Sequence, residues 1–229
     1  MGLTASSAWA EGGAPSQADV EFMRMLQARA AQSRLDEELK NPKRPEIQKG
    51  RAVVGKANAP ITIVAYSDFQ CPYCKSGAER IDDVKKKYGE KVRFMFKHLP
   101  LSFHQYAMPA AKRFEAINLQ GGAKKAYEFH DQVFGAQSRL SAEGEAFLDE
   151  TAKKVGVNVA KMKKDMESDR VKKIIEGDME EAKKYNIDGT PGFIVGGVTL
   201  TGAQPVEVFS QIIDQRLASG NKRAVSSKP

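Results

Sequence analysis

Residues 61–74 read ITIVAYSDFQCPYC, and this stretch decides which fold class the chain can adopt. Its first six residues are β-branched, apolar or aromatic, which is typical of a strand buried on both faces. A helical pattern starts at the cysteines and runs to about Lys87, and a second strand pattern covers residues 92–96. The order strand, helix, strand predicts a parallel βαβ unit with its ligand-facing edge at the carboxyl end of the first strand.

Cys71 and Cys74 are the only cysteines among the 229 residues. A bridge that closes so small a loop restrains little chain entropy, so the pair would be a poor structural staple and points to chemistry. A cysteine reacts as its thiolate, and the amino end of a helix supplies free N–H groups and a positive dipole that lower the thiol pKa. We therefore predict that Cys71 is the exposed, attacking sulfur and that Cys74, one turn into the helix, is the resolving one. Pro72 suits the first helical turn, where its missing N–H would have no partner.

Other roles for the pair stay open at this point. A zinc site would need two further ligands, and His98 and His104 lie farther from Cys74 along the chain than the usual zinc spacing. A Cu(I) carrier on the bare dithiol and an incidental structural pair are the other two alternatives. The histidines, including His130, are interpreted as surface or hydrogen-bonded residues, and no Cys–His catalytic dyad is predicted. No metal and no cofactor are predicted.

The remaining sequence divides into parts around the βαβ unit. Residues 103–185 are almost wholly helical in pattern, with a break at Gly121-Gly122, and four or five helices fit there. The candidate helix caps are Ser141, Asn158 and Asp169, and Gly156 is a candidate stop. That number is too large for one crossover, so we predict an inserted helical subdomain. Strand patterns on either side of Gly196-Gly197 predict a hairpin. The predicted parts are an α/β core at 46–102 and 186–218, the helical insertion at 103–185, an N-terminal helical arm and linker at 11–45, and a loose tail at 219–229.

The N-terminal arm begins with capping-box spacing between Ser16 and Asp19 and continues as a helical pattern to about Lys40. Its apolar residues favour one face and then drift to another, so they predict an amphipathic helix without a sustained heptad repeat. We expect either an oligomerisation or docking arm over residues 16–40 or a helix that lies against its own domain.

Residues 1–10 end in Ala8-Trp9-Ala10, which resembles the end of an export signal. The basic and apolar regions that normally come before such a site are missing from these residues. We therefore interpret residues 1–10 as the remnant of a signal or of a cloning junction, and we expect a periplasmic or otherwise exported protein.

The chain carries 36 basic and 29 acidic residues, a formal net charge of +7. The lysines come in short runs mixed with Glu and Asp inside helical patterns, which is typical of solvated helix faces. No nucleic-acid partner is predicted, and no stretch is apolar over the roughly 18 residues that a membrane span needs.

Three motifs together carry a resemblance to a known family: SDFQCPYC, FKHLPL and GTPGFIVGGVTLTGAQP. With the helical segment between them, they resemble the DsbA-like branch of the thioredoxin superfamily over about residues 50–217. The resemblance implies an α/β, thioredoxin-like fold with an inserted helical subdomain, here with an N-terminal helical extension. It also implies a disulfide at the start of the helix and a cis proline facing it.

The resemblance also implies roles for particular residues. Cys71 would be the nucleophile and Cys74 its partner, with the dipeptide Pro72-Tyr73 between them tuning the redox potential. Thr190 and Pro191 would form the cis-proline loop, where the Thr190 backbone would pair with an extended substrate chain by strand addition.

One position departs from the family pattern. Many relatives place an acidic residue six positions before the first cysteine, where it helps to move the buried cysteine's proton, and this chain has Ala65 there. Asp68 is nearby in sequence, and we expect it at a different depth. Water is then the expected acceptor of that proton.

The function predicted from these features is enzymatic thiol–disulfide exchange. The expected partners are cysteine-containing exported proteins and a redox partner that re-oxidises or reduces the dithiol. The DsbA-like body slightly favours an oxidase. An N-terminal helix and a threonine before the proline favour an isomerase or reductase that is oligomerised by residues 16–40, and a copper-binding or chaperone-type periplasmic protein is a further alternative.

Overall fold

The computed structural model describes residues 16–226, with side chains described as far as Ser219. The predicted signal remnant at residues 1–10 lies outside these residues. One mixed sheet holds five strands in the order β1-β3-β2-β4-β5. The strands are β1 (Val53–Val54), β2 (Ile61–Ser67), β3 (Val92–His98), β4 (Gly192–Val195) and β5 (Val198–Thr201).

The centre of the sheet is the predicted βαβ unit. Strand β2 runs parallel to β3, with Ile61 opposite Val92 and Ser67 opposite His98. On its other side β2 pairs antiparallel with β4, which forms the predicted hairpin with β5. Six of the seven residues of β2 are buried, because helices cover both faces of the sheet there.

Eight helices occur within the part of the chain that the structure describes, and a short 3-10 turn at Gly89–Lys91 precedes β3. They are α1 (Gln17–Lys40), α2 (Pro72–Tyr88), α3 (Ala107–Gly135), α4 (Gln137–Glu143), α5 (Glu145–Lys154), α6 (Val159–Met166), α7 (Asp169–Lys184) and α8 (Val206–Ser226). The helices α3 to α7 fill the predicted insertion.

The predicted helix boundaries inside the insertion are partly right. Asn158 caps α6 as expected, whereas Ser168 caps α7 one residue before the predicted Asp169. Ser141 was predicted as a cap and lies inside α4 instead. The break expected at the glycine pair is a kink within α3 at Gly122, whose φ of 70° suits only a residue without Cβ.

The insertion and the sheet share one hydrophobic core. Phe69, which follows β2, lies against aromatic rings from both parts. Its ring centroid is 4.9 Å from that of Phe96 in β3 and 5.2 Å from that of Phe134 in α3. Because apolar contact is continuous across the boundary, the insertion holds the loop that leads to the cysteines.

On the opposite face of the sheet, α7 packs over a buried ion network. Arg51 forms two hydrogen bonds to the Asp178 carboxylate, at 2.8 and 2.6 Å, and Asp178 also accepts the backbone N–H of His98 at 3.0 Å. The ring of His98 lies 3.0 Å from Glu115, which is fully buried in α3. Each of these charges has a partner, which is the condition for burying it.

The two ends of the chain differ from expectation in detail. No residue of α1 is buried, although Leu35 and Leu39 near its end pack against the core. The predicted loose tail at 219–229 is helical as far as Ser226, because α8 continues past Leu217 and residues 206–226 contain no proline. Among residues 16–226, no helix combines the length and the apolar character that crossing a membrane requires.

Candidate active site

Cys71 stands where the loop after β2 meets the first turn of α2. It is the N-cap residue of α2, with φ −73° and ψ 122°, and Pro72 occupies the first helical position as predicted. The N–H of Cys71 donates to the carbonyl of Asp68 at 3.2 Å, and the N–H of Cys74 donates to the carbonyl of Cys71 at 3.0 Å. Cys71 therefore lies at the amino end of a helix, where the helix dipole is positive.

The predicted exposure of Cys71 needs correction. Cys71 is only 5% exposed and Cys74 is 1% exposed, so both cysteines are enclosed. The sulfur of Cys71 is covered by the Thr190 carbonyl, which lies 3.5 Å away. Tyr73, between the cysteines, is 71% exposed and forms the accessible surface of the motif.

The environment of Cys71 favours its thiolate. Its pKa is lowered to about 5, first by the hydrogen bond from the Cys74 thiol. Burial opposes this lowering, and the side chain of Thr190 and the N–H groups of Cys74 and Tyr73 add to it. A thiol with such a pKa is almost fully ionised at neutral pH.

Cys74 has the opposite character. Burial and the hydrogen bond to Cys71 raise the pKa of Cys74 far above its usual value, which the Ser67 hydroxyl and the N–H of Asp68 offset only in part. The N–H of Asp68 lies 3.4 Å from the Cys74 sulfur. The two cysteines are not joined by a disulfide here, and Cys74 is the one of the pair that keeps its proton at neutral pH.

Thr190 and Pro191 lie beside the cysteines in the fold, although Thr190 is 119 positions from Cys71 in the sequence. The bond between them is cis, as the resemblance implied. The Thr190 hydroxyl oxygen is buried and has no hydrogen-bond partner among the described residues, so it is available to donate to the Cys71 thiolate. Pro191 packs on α2 at Gly77, where an added Cβ would lie 3.1 Å from the proline ring.

Position 65, where many relatives have an acidic residue, belongs to the hydrophobic core in this chain. Ala65 is buried in β2 between Phe96 and Phe193 of the neighbouring strands. Asp68 is 1% exposed. Its carboxylate accepts the N–H of Gln70 at 2.7 Å and that of Leu101 at 2.9 Å.

The same carboxylate of Asp68 lies 2.8 Å from Nδ1 of His104. All of its close partners belong to the two loops around the site, and its role is to hold those loops together. The sequence predicts only a surface or hydrogen-bonded role for His104, and no local pattern marks it as a partner of Asp68.

A second side chain that the sequence did not reveal is Gln137, at the start of α4. Its side-chain N–H groups donate to the carbonyl of Phe69 and to that of Cys71, each at 2.9 Å. The contact joins residues 66 positions apart in the chain. Within residues 16–226, no group of three His, Cys, Asp or Glu side chains is arranged to hold a metal ion.

Comparison with known proteins agrees with this fold. The family model described as thioredoxin matches residues 48–215, well over half of the chain. The chain belongs to the thioredoxin family, and its fold is that of the DsbA-like thiol–disulfide oxidoreductases. The family and the fold class predicted from the sequence are confirmed at this level.

Two solved structures illustrate the similarity of fold. Oxidised BdbD from Bacillus subtilis superposes with a TM-score of 0.68 at 23% identity, over 77% of this chain and 97% of that protein. The thiol–disulfide exchange protein α-DsbA2 from Wolbachia pipientis gives a TM-score of 0.65 at 18% identity, over 84% of this chain and 97% of that protein.

The chain is also similar to part of a much longer curated relative. The Na(+)/H(+) antiporter NhaA 3 of Salinispora tropica is 31% identical over 172 residues. That alignment covers 75% of this chain and 25% of the antiporter, so the chain spans about a quarter of the length of this relative.

Proposed function

We propose that the protein exchanges disulfides with cysteine-containing exported proteins, with Cys71 as the nucleophile and Cys74 as the resolving thiol. The observation that carries the proposal is the opposite character of two adjacent thiols at one helix start. The pKa of Cys71 is lowered to about 5 while that of Cys74 is raised. Such a pair attacks with one sulfur and keeps the other protonated until it is needed.

The oxidising half-reaction transfers the disulfide of Cys71 and Cys74 to a substrate in two exchange steps. A substrate thiolate attacks Sγ of Cys71 in the disulfide form, the bond between Cys71 and Cys74 breaks, and Cys74 leaves and takes a proton from water. A second substrate thiolate then attacks the substrate sulfur of the mixed disulfide, and Cys71 leaves as a thiolate. The substrate loses two electrons to the dithiol, which a redox partner removes.

The direction of exchange follows from which redox form is stabilised. A low pKa at Cys71 stabilises the reduced form, and a stabilised reduced form makes the disulfide a strong oxidant. This supports the oxidase over the isomerase or reductase. Equilibration with glutathione should give a reduction potential near about −120 mV, whereas a value near about −270 mV would identify a reductant.

The roles of the two cysteines are separable by substitution. Cys71→Ser should abolish exchange with a reduced model protein, and Cys74→Ser should accumulate a mixed disulfide that is visible on a non-reducing gel. Normal exchange by Cys71→Ser would exclude it as the nucleophile. Ser76→Ala, in the same helix and outside the dithiol, is the matched control.

Thr190 and Pro191 are the proposed substrate-binding residues. The Thr190 carbonyl lies 3.5 Å from the Cys71 sulfur, so a chain that pairs with the Thr190 backbone would bring its own cysteine to the dithiol. Pro72 and Tyr73 are the proposed tuning dipeptide, and the exposed ring of Tyr73 would contact the bound chain. Export to the periplasm or beyond fits substrates that acquire disulfides.

We also propose that α1 assembles a homo-oligomer with a second copy of this chain. The first half of α1 exposes large apolar side chains that its own domain does not cover: Val20, Phe22, Met23, Met25 and Leu26. The second half is tied to the domain through a hydrogen bond from Thr199 to Glu38. This arrangement favours the apolar half as a contact between copies.

Light scattering can test the oligomer. Deleting residues 1–31 removes the apolar half and keeps the part of α1 that docks, and the measured mass should fall to that of a monomer. Phe22→Glu with Met25→Glu should act in the same way, and Glu21→Gln is the control. A mass that stays the same in both variants would exclude α1 as the contact.

A further inference from the structure

The loop that carries Cys71 is held by a side chain from the helical insertion. Gln137 begins α4 and is half-buried, and its single amide nitrogen donates one hydrogen bond to Phe69 and one to Cys71. Both acceptors are backbone carbonyls, at 2.9 Å. Among the described residues, no other side chain forms a hydrogen bond to the carbonyl of either residue.

The carbonyl of Cys71 controls where its sulfur lies. This oxygen accepts from Gln137 and also from the N–H of Cys74, at 3.0 Å. Fixing the oxygen fixes the ψ angle of Cys71, and thereby the orientation of the sulfur relative to the first turn of α2. With the extended ψ of 122° that is typical of an N-cap, the N–H groups of Tyr73 and Cys74 are close enough to the sulfur to lower the pKa of Cys71.

The carbonyl of Phe69 fixes the other end of the same loop. The Phe69 ring is 1% exposed and packs in the core, so its backbone has little freedom once its carbonyl is also held. Gln137 thus bridges the peptide group before Gln70 and the one after Cys71. The Asp68 carboxylate also holds this loop, through its contacts with the N–H of Leu101 and with Nδ1 of His104.

We propose that Gln137 is a positioning residue for the disulfide-exchange reaction: its amide holds the Cys71 carbonyl so that the Cys71 sulfur faces the N–H groups at the start of α2. The proposal rests on Cys71 being the reactive sulfur. It also gives the helical insertion a defined part in the chemistry, since within the described residues α4 supplies the side-chain donor to both carbonyls.

Two substitutions separate the donor from the size of the side chain. Gln137→Leu keeps the volume and removes both hydrogen bonds, and Gln137→Glu replaces the donor by a carboxylate that repels the two carbonyls. Gln132→Leu is the control, because Gln132 is an exposed glutamine at the end of α3 with no side-chain hydrogen bond to the active-site loop.

The readout is the titration of the Cys71 thiolate by its absorbance near 240 nm. The midpoint should rise by about one pH unit in Gln137→Leu, the equivalent of about one hydrogen bond, and further in Gln137→Glu. The equilibrium constant against glutathione should move by up to about tenfold toward the disulfide form, because the thiolate stabilises the reduced form less. Gln132→Leu should titrate like the native protein.

A purely structural role would lower the melting temperature and leave the titration of Cys71 unchanged, and that result would overturn the proposal. If either variant fails to fold by circular dichroism, Gln137→Asn gives the same comparison with the amide one methylene short. Its midpoint should rise by a smaller amount, and an unchanged midpoint would again overturn the proposal. Exchange that persists in Cys71→Ser would instead refute the proposed function, because the Gln137 titration is read without turnover.

Discussion

At the scale of single residues, the reactivity of Cys71 comes from several weak donors acting on one sulfur. The thiol of Cys74 is the largest contributor to its lowered pKa, and the hydroxyl of Thr190 and two backbone N–H groups add to it. Burial works against them. The pKa of Cys71 is set by groups in the immediate surroundings of its sulfur, so single substitutions there should change this pKa measurably.

The pH dependence of Cys71 alkylation follows from this balance. Since the pKa is lowered to about 5, the thiolate persists from alkaline pH down to about that value and is lost by protonation below it. The rate of reaction with iodoacetamide should therefore rise with pH through about 5 and then level off. A midpoint near about 8.5, the value of an ordinary cysteine, would contradict the proposed environment.

Thr190→Val tests one donor in isolation. Valine keeps the shape of threonine and removes the hydroxyl, which is buried and otherwise without a partner in the described structure. The midpoint of Cys71 thiolate formation should rise by up to about one pH unit, and the disulfide should become a weaker oxidant. Thr199→Val, a buried threonine hydroxyl away from the site, is the matched control.

At the scale of the secondary-structure elements, the network around Arg51 joins the segment before β1 to β3, α3 and α7. Burial alone would lower the pKa of Arg51, and the hydrogen bonds and charge of Asp178 outweigh it, so the pKa is raised. The side chains of Arg51 and Asp178 are 3% and 2% exposed, so each depends on the other for its solvation. Removing one partner leaves an uncompensated buried charge.

Asp178→Asn should therefore lower the free energy of unfolding by up to about 3–5 kcal/mol, because Arg51 keeps its buried position and loses its nearest carboxylate, with Glu115 remaining at 3.5 Å. Urea denaturation followed by circular dichroism measures the change. Asp82→Asn, which removes an exposed partner of Lys85, should cost at most about 1 kcal/mol. Equal effects of the two substitutions would mean that the network around Arg51 is not an energetic unit.

At the scale of the whole molecule, the insertion and the α/β core are one folding unit. Phe114 of α3 is fully buried, with its ring centroid 5.4 Å from that of Phe96 in the sheet. Apolar burial that is shared across two parts couples their unfolding, because neither part keeps its core without the other.

Phe114→Ala should lower the free energy of unfolding by about 3–5 kcal/mol while keeping a single transition. Helix content by circular dichroism and exposure of Cys74 to alkylation should change at the same urea concentration. Phe103→Ala removes a ring that is 76% exposed and should leave the midpoint almost unchanged. Separate transitions for the two probes would show that the insertion unfolds independently.

The sequence by itself determined the local features of this protein. The β-branched run at 61–66, the proline after Cys71 and the glycines of the β4–β5 hairpin each act on their own backbone or their immediate neighbours. Their periodicity and conformational preferences are therefore readable without the fold. The cis bond at Pro191 was expected only from the resemblance to the DsbA-like family, because the local sequence pattern alone does not predict it.

The tertiary structure alone decided which distant groups meet. Gln137 reaches Cys71, His104 reaches Asp68 and Arg51 reaches Asp178 across separations that no period or spacing encodes. The enclosure of Cys71 by the Thr190 carbonyl is of the same kind. Hydrogen bonds and ion pairs depend on final distances of about 3 Å, and only the packing of the insertion onto the sheet brings these groups that close.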